Sequence, residues 1–194
     1  YTGVDLAATS DLTAVAYLVV QDGTYYFKTH YYLPESALKD KADKELYKYW
    51  KQQGYLTVTS GNVTDYDYIT ADMLRYADVV NIQSVGYDKY NATQWAIDST
   101  EQGLPLEEYP QTLGNFNMPT RELERLILSG KAVIDNNEIN RYCFRNVTLK
   151  SDYNGNVKPN KAVDKKKIDG TIAMIQALGM YLRNPRFSNE IITI

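Results

Sequence analysis

The first part of the chain contains three apolar stretches separated by short polar turns. Residues 3–7 and 13–20 predict the first two strands, because apolar side chains dominate both runs. Asp22-Gly23 is a dipeptide typical of tight hairpin turns, and it leads into a tyrosine-rich strand predicted over 25–32. Since consecutive strands joined by short turns pair antiparallel, we expect a three-stranded meander.

The rest of the chain alternates between segments with helical periodicity and short apolar runs. Apolar residues at helical spacing predict helices over 35–53, 64–77, 91–102, 117–128, 138–145 and 165–183. Thr64 is the expected N-cap of the second helix. Short apolar runs predict strands at 55–59, 81–88, 104–109, 132–134 and 147–150, and a turn follows at 152–156. This order is typical of an α/β domain whose mixed central sheet is flanked by helices.

Three aspartates occupy positions where the apolar pattern does not favour a charge. Asp5 lies within the first strand, Asp88 ends a short apolar strand, and Asp169 adjoins the core-facing stripe of the last helix. A buried carboxylate is costly unless it is paired or binds a metal. Asp88 could instead cap the following helix or turn, and Asp169 is also favoured by the positive end of its helix. The functional interpretation is that the three acids meet in space and hold divalent metal ions.

Composition limits the kinds of metal site that the chain can form. It has one cysteine, Cys143, and one histidine, His30, which excludes an internal disulfide and a zinc site built from histidine and cysteine. A metal would therefore be held by oxygen ligands, which favours Mg²⁺ or Mn²⁺. The net charge of −3 is not typical of a nucleic-acid-binding protein, although a local basic patch would suffice for binding.

Length and hydropathy indicate an ordinary globular protein. With 194 residues, of which 44% are hydrophobic and 23% charged, the chain suits a single domain. It contains no apolar run long enough to span a membrane and no signal peptide, so we expect a soluble, intracellular protein. Because it starts at Tyr1 without a methionine and enters a strand within a few residues, we expect a domain excised from a longer protein.

Several short motifs occur in the same order as in one family of viral proteins. They are 3–7 with 11–14, then 87–92, 119–124, 146–147, 155–161 and 167–173. Together they resemble the nuclease domain of terminase large subunits, the DNA-packaging motors of tailed bacteriophages. The resemblance implies an RNase H-like fold, with one nuclease domain over 1–194 whose core covers about 1–184. The ATPase half of such proteins has a Gly-x-x-x-x-Gly-Lys-Ser/Thr motif, which this chain lacks, so that half would precede it in the longer protein.

The resemblance also implies roles for individual acids. Asp5, Asp88 and Asp169 match the metal-binding, catalytic aspartates of the family, and Asp11 matches an auxiliary acid near the site. The implied activity is that of an endonuclease, which hydrolyses phosphodiester bonds in double-stranded DNA during viral genome packaging. Two Mg²⁺ or Mn²⁺ ions would assist the hydrolysis.

The partners implied by the resemblance begin with DNA. Lysines that flank the last acid are candidates for phosphate contacts, although a solvated basic face is an equally simple explanation; they are Lys158, Lys161, Lys165, Lys166 and Lys167. The other implied partners are the ATPase domain in the same chain, the terminase small subunit and the portal. The implied location is the cytoplasm of the host cell of a phage or prophage, without membrane attachment.

Three alternative functions share parts of this pattern. Residues 3–10 also resemble the first phosphate loop of sugar kinases with the actin-like fold, but the second phosphate loop and the Gly-Gly adenosine motif of that family are absent. A junction resolvase or transposase core would keep the three acids and change the substrate. A non-catalytic DNA-docking module would make the acids dispensable.

Overall fold

A mixed β-sheet forms the centre of the fold. The computed structural model describes residues 1–9, 11–39, 43–90, 92–163 and 166–184. Among these residues the central sheet has seven strands: Thr2–Asp5 (β1), Thr13–Gln21 (β2), Thr24–Pro34 (β3), Thr57–Thr59 (β4), Val85–Tyr87 (β5), Leu106–Glu108 (β6) and Ala132–Ile134 (β7). They lie in the order β4-β3-β2-β1-β5-β6, with β7 also paired to β3.

The pairing within this sheet confirms the predicted architecture. β1, β2 and β3 form the antiparallel meander. β5 pairs parallel with β1, β6 pairs parallel with β5, and both β4 and β7 pair parallel with β3. The carboxyl ends of β1, β5 and β6 therefore lie at the same edge of the sheet, which is where α/β folds gather ligands.

Helices cover both faces of the sheet. They are Lys44–Gln52 (α1), Tyr66–Ala77 (α2), Thr93–Glu101 (α3), Leu113–Leu128 (α4), Glu138–Arg145 (α5) and Asp169–Arg183 (α6). The alternation of side chains along β2 separates two cores: Ala14, Ala16 and Leu18 pack with α1, α4, α5 and α6, whereas Val15 and Tyr17 pack with α2 and α3. Strands Val147–Ser151 (β8) and Val157–Lys161 (β9) form a separate hairpin.

Helix α6 crosses the larger core and is buried from Asp169 to Met180. It packs against β1, β2 and β5, and against α4 and α5. Its approach to β1 is so close that a β-carbon on Gly3 would lie 2.5 Å from the backbone nitrogen of Ala177. The strand that ends in Asp5 and the helix that begins with Asp169 are therefore in direct contact.

The predicted helix over 35–53 is wrong in its first part. A 3-10 helix covers Glu35–Lys39, and α1 begins at Lys44. Residues 40–42 lie outside the described part of the chain. Ala37 is the buried residue of the 3-10 segment, so the apolar spacing there reflects a single contact and not a continuous helical face.

Helices α2 and α4 also begin at residues other than the predicted ones, for reasons that their caps explain. The cap of α2 is Asp65, whose carboxylate accepts a hydrogen bond from the Tyr68 backbone at 2.9 Å, and the prediction of Thr64 is wrong. Helix α4 begins four residues early, because the Thr112 hydroxyl caps it. Pro119 consequently lies inside α4 and not in its first turn.

The strands differ from the predictions mainly in their ends. β4, β5 and β6 are each three residues long and are shorter than predicted. The last helix, α6, is also shorter than predicted, because it begins at Asp169 and not at 165. The polar strand β9 was not predicted; it pairs with β8 and is tied to α4 by Asn117, which accepts from the Val157 backbone at 3.0 Å. No helix in the described ranges is long and apolar enough to cross a membrane.

Candidate metal centre

Asp5 and Asp88 lie side by side at the carboxyl edge of the sheet. Asp5 is the last residue of β1, and Asp88 directly follows β5. The parallel register pairs Val4 with Tyr87, so the next residue of each strand carries a carboxylate at the same level. The predicted strand over 81–88 ended in Asp88, whereas β5 ends one residue earlier at Tyr87, and Asp88 still lies at the carboxyl edge next to Asp5.

A third side chain, Gln111, connects these two acids. Its Nε2 donates to Oδ1 of Asp5 at 2.9 Å, and its backbone nitrogen donates to Oδ2 of Asp88 at 2.8 Å. The other oxygen of Asp88 accepts from the backbone nitrogen of Tyr90 at 2.9 Å. Asp88 is therefore oriented by two backbone donors, and Asp5 by one neutral amide.

Asp169 reaches the same region from the first turn of α6. Its side chain is buried, and its Oδ2 has no hydrogen-bond partner. Burial, and then the nearby charge of Asp169, raise the pKa of Asp5 well above its usual value. Burial, and then the charge of Asp11, raise the pKa of Asp169 to about 6. The charge of Lys161 partly offsets both carboxylates, and that of Lys167 partly offsets Asp169, but burial and the neighbouring carboxylates outweigh these lysines.

Asp11 has a different environment, because two lysines contact it. Lys167 donates a hydrogen bond to Oδ1, and Lys161 lies 3.5 Å from Oδ2. Burial alone would raise the pKa of Asp11, but the hydrogen bonds and charges of Lys167 and Lys161 outweigh it and hold that pKa below its usual value. Asp11 is thus in direct contact with two lysines, whereas Asp5 and Asp169 form no ion pair among the described residues and feel the lysine charges only from a distance.

These groups line an open cleft of about 380 Å³. Its wall includes Asp5, Asp11, Gln111, Lys158, Lys161 and Asp169. Asp88 does not line the cleft and is connected to it through Gln111. Among the described residues, no three histidine, cysteine, aspartate or glutamate side chains lie close enough together to hold one metal ion. The structure therefore places Asp5 and Asp169 in one cleft, whereas Asp88 follows the strand next to Asp5 but does not line that cleft.

The predicted DNA-binding lysines have separate contacts. Lys158 donates to the Gln111 carbonyl oxygen at 3.1 Å, whereas Lys161 and Lys167 contact Asp11. The ammonium group of Lys166 lies 5.7 Å from the ring centre of Tyr142. Lys165 lies outside the described residues. Lys158 and Lys161 border the cleft that contains the acids.

Gln111 is the residue of this site that the sequence analysis missed. It follows β6, the third parallel strand whose carboxyl end reaches the same edge as Asp5 and Asp88. The predicted order of strands could have indicated Gln111, because residues that follow the ends of neighbouring parallel strands meet in space. Gln111 is a neutral amide in a loop, so it lacks the charge in an apolar run that distinguishes the three aspartates.

The chemistry of the donors fits a hard divalent cation. Asp5 and Asp169 supply carboxylate oxygens, which are the ligands that Mg²⁺ and Mn²⁺ prefer. Oδ2 of Asp169 is buried without a partner, and both carboxylates are destabilised as anions by burial. A bound cation would remove both penalties.

Comparison with known proteins identifies relatives along the whole described fold. A family model described as "Terminase large subunit, endonuclease domain" matches residues 1–184. The large terminase subunit of Enterobacteria phage HK97 is 29% identical over 184 residues, which cover 92% of this chain and 36% of that protein. Protein YmfN of Escherichia coli (strain K12) is 31% identical over 96% of this chain and 45% of its own length. The chain thus spans less than half of these curated relatives.

Solved structures agree with the sequence comparison. The crystal structure of the HK97 large terminase superimposes with a TM-score of 0.84 at 29% identity, over 93% of this chain and 39% of that one. The large terminase nuclease of thermophilic phage G20c, solved with bound magnesium, gives a TM-score of 0.61 at 13% identity, over 91% and 78% of the two chains. The same nuclease with bound cobalt gives 0.60 at the same identity and coverage.

The structural neighbours confirm the predicted RNase H-like fold. The family model covers nearly all of the sequence, and the motifs that suggested the resemblance lie within the matched residues 1–184. The chain belongs to the endonuclease-domain family of terminase large subunits.

Proposed function

We propose that this chain is a divalent-metal-dependent endonuclease that hydrolyses phosphodiester bonds of double-stranded DNA during viral genome packaging. Membership of the terminase nuclease family supports a nuclease role in packaging. The single observation that carries the metal dependence is the pair formed by Asp5 and Asp169. These two acids share one cleft, repel each other, and include a buried oxygen without a partner.

Asp5, Asp88 and Asp169 are the proposed catalytic and metal-binding acids, for two Mg²⁺ or Mn²⁺ ions. Such ions would lower the pKa of a water nucleophile and stabilise charge on the leaving oxygen. The magnesium and cobalt recorded for the G20c nuclease support the choice of a divalent cation. Because Asp88 is held by two backbone donors, its carboxylate is oriented without a neutralising partner and keeps lone pairs for a cation.

The lysines at the cleft are proposed to contact DNA phosphates. Lys158 and Lys161 border the acids, Lys166 and Lys167 precede Asp169, and Lys165 is part of the same run. Asp11 serves as the auxiliary acid by holding Lys161 at the rim of the cleft and by pairing with Lys167, which is largely buried. A positive rim next to an acidic cleft would guide the backbone of DNA toward the metal-binding carboxylates.

We also propose that this chain is one domain of a longer protein. This chain spans 36% of the HK97 large terminase, so we propose one nuclease domain over 1–194, with its core in about 1–184, following an ATPase domain. The terminase small subunit and the portal are the further proposed partners. The proposed place of action is the cytoplasm of the host cell.

The decisive experiment measures Mn²⁺-dependent cleavage of plasmid DNA. We expect the wild-type chain to cut, and Asp5→Asn, Asp88→Asn and Asp169→Asn each to lower the rate by roughly 100-fold or more, since several kcal/mol of charge stabilisation are lost. Asp78→Asn, at an exposed site at the end of α2, is the control with the same change of charge. Cutting at the wild-type rate by all three site variants would contradict the assignment.

A second set of substrates separates the related alternatives. A packaging nuclease should cut linear and plasmid duplexes with little sequence preference, because its contacts are mainly with phosphates. A junction resolvase should instead prefer four-way junctions over duplexes. Binding of DNA without any cleavage, in the presence of Mn²⁺ or Mg²⁺, would favour a docking module.

A further inference from the structure

We infer that Gln111 is a positioning residue, whose side-chain amide orients Asp5 relative to Asp88 and thereby sets the affinity of the cleft for divalent cations. This inference rests on the proposed metal site. It concerns a neutral side chain that lies between two of the proposed ligands.

The loop that carries Gln111 is held at both ends. Before it, the backbone nitrogen of Tyr109 donates to the Tyr87 carbonyl oxygen at 2.6 Å, which fixes the loop on β5. After it, Thr112 caps α4 and also donates from its backbone to the Pro110 carbonyl oxygen at 2.8 Å. The backbone of Gln111 is therefore held by the sheet, by the start of α4 and by Asp88, and none of these contacts involves its side chain.

The three polar groups of Gln111 point to three different elements. The side-chain amide reaches Asp5 at the end of β1, the backbone nitrogen reaches Asp88 after β5, and the carbonyl oxygen accepts from Lys158 in β9. A rotation or loss of the side chain would release Asp5 while leaving the two backbone contacts in place. The contribution of the amide can therefore be separated from that of the loop.

The neutrality of the amide distinguishes Asp5 from Asp11. Asp11 is held by two lysines, whose charges compete with any cation for its oxygens. Asp5 is held by an amide, which restricts the carboxylate to one orientation and adds no positive charge. An oriented carboxylate that is not ion-paired is the better cation ligand, because it is already held in one orientation and no ammonium group occupies its oxygens.

The expected size of the effect follows from other metal sites. Side chains that orient a ligand, without binding the metal themselves, typically change metal affinity by about 10- to 100-fold when removed. Gln111→Ala should therefore weaken Mn²⁺ binding by about tenfold or more. Gln111→Met should weaken it to a similar extent, since methionine preserves the length and flexibility of the side chain but cannot donate to Asp5.

The test is a titration of the metal-free chain with Mn²⁺, in which the free ion is measured by its electron paramagnetic resonance signal. Gln102→Ala, at an exposed glutamine after α3, is the matched control and should bind as the wild type does. The melting temperature of each metal-free variant is measured in parallel to confirm that it is folded. Asp5→Asn serves as the reference for a lost ligand.

Each outcome has a defined meaning. Weakened binding in both Gln111 variants, with melting temperatures near that of the wild type, is the expected result. Wild-type affinity in Gln111→Met would overturn the inference and leave Gln111 only a packing role. Failure of the wild-type chain to bind Mn²⁺, or full binding by Asp5→Asn, would overturn the metal site itself and the inference with it.

Discussion

Gly3 in β1 packs directly against the backbone of Ala177 in α6: a β-carbon on Gly3 would lie 2.5 Å from the Ala177 nitrogen, and closer still to the carbonyl oxygen of Ala173. Both neighbouring atoms belong to the helix backbone and cannot rotate away. The contact holds the strand of Asp5 against the helix of Asp169. The geometry of the acidic pair therefore depends on a glycine two residues before Asp5.

Gly3→Ala should destabilise the domain by at least about 2 kcal/mol, because a methyl group would force β1 and α6 apart. Urea unfolding followed by circular dichroism measures the difference. The control is Gly114→Ala in α4, where a β-carbon would meet no atom within 4 Å. That change should leave the stability unchanged or raise it by up to about 1 kcal/mol, since alanine favours helix. Equal stabilities for the two variants would contradict the close packing.

The pKa values of the acidic pair predict a stability that depends on pH. The folded state raises the pKa of Asp169 from 3.8 to about 6, so it binds a proton more tightly than the unfolded state does. This carboxylate is therefore neutral in both states below about pH 4, and its burial as an anion lowers the free energy of unfolding as the pH rises through 6. The free energy of unfolding therefore falls as the pH rises, whereas a carboxylate in an ion pair makes it rise with pH.

We expect Asp169→Asn to stabilise the metal-free domain relative to the wild type, increasingly between pH 4 and 7. Because one pKa unit corresponds to about 1.4 kcal/mol, the difference should grow by roughly 2–3 kcal/mol over this range. Chemical unfolding in the presence of a chelator, at several pH values, measures it. Comparison with the wild type cancels the titration of distant groups. Parallel curves for the two proteins would show that Asp169 is not a strained anion.

The placement of the three candidate acids in the fold was partly predictable, because it follows from short-range patterns and sheet topology. Asp5 interrupts an apolar strand, Asp88 ends another, and Asp169 begins a helix with a continuous apolar stripe. Once β1 and β5 pair in parallel, the first two must lie at one edge. Asp169 can approach Asp5 because the residues at the β1–α6 contact are small. The role of these small residues is evident only from the three-dimensional structure.

The features that were missed depend on contacts between distant residues. A row of lysines has the same sequence pattern whether it faces solvent, phosphate or an aspartate, so the pairing of Lys161 and Lys167 with Asp11 could not be predicted. Strand β9 contains Pro159, which disfavours a central strand, but a two-stranded hairpin offers it an edge position opposite Leu149.

The contacts of Asp11 predict how it affects binding to DNA. Asp11→Asn removes the anion that faces Lys161 and Lys167, and it leaves the charge of Lys161, which borders the cleft, for phosphate. We expect tighter binding to a DNA duplex at low salt, and a plot of log affinity against log salt that is steeper by about one, as each added phosphate contact contributes about 0.9. Fluorescence anisotropy in a chelator, over a range of NaCl concentrations, measures the slope.

The control for this prediction separates a local effect from the change in net charge. Asp78→Asn alters the charge of the chain by the same amount at the end of α2, which packs on the opposite face of the sheet from α6. Its salt dependence should remain close to that of the wild type. Identical changes in both variants would mean that Asp11 acts only through the total charge, and that Lys161 and Lys167 do not contact DNA.

A proline inside α4 is accommodated by a tyrosine from the preceding loop. Pro119 has no N–H, so it cannot donate to the carbonyl oxygen of Asn115, its partner in a regular helix. The Tyr109 hydroxyl donates to that oxygen at 2.7 Å instead. Tyr109→Phe should therefore lower the free energy of unfolding by about 1–3 kcal/mol, because it leaves a partly buried carbonyl without its donor.

A double-mutant cycle tests whether Tyr109 replaces the missing helical donor. In Pro119→Ala, the new backbone N–H can bond to the Asn115 carbonyl oxygen, so the further change Tyr109→Phe should cost less than it does in the wild type. Urea unfolding of the two single variants and the double variant gives a coupling free energy, which we expect to be about 0.5–3 kcal/mol. A coupling near zero would show that the Tyr109 hydroxyl stabilises the loop independently of Pro119. Because the same loop carries Gln111, a Mn²⁺ titration of Tyr109→Phe would then reveal whether this support extends to the acids.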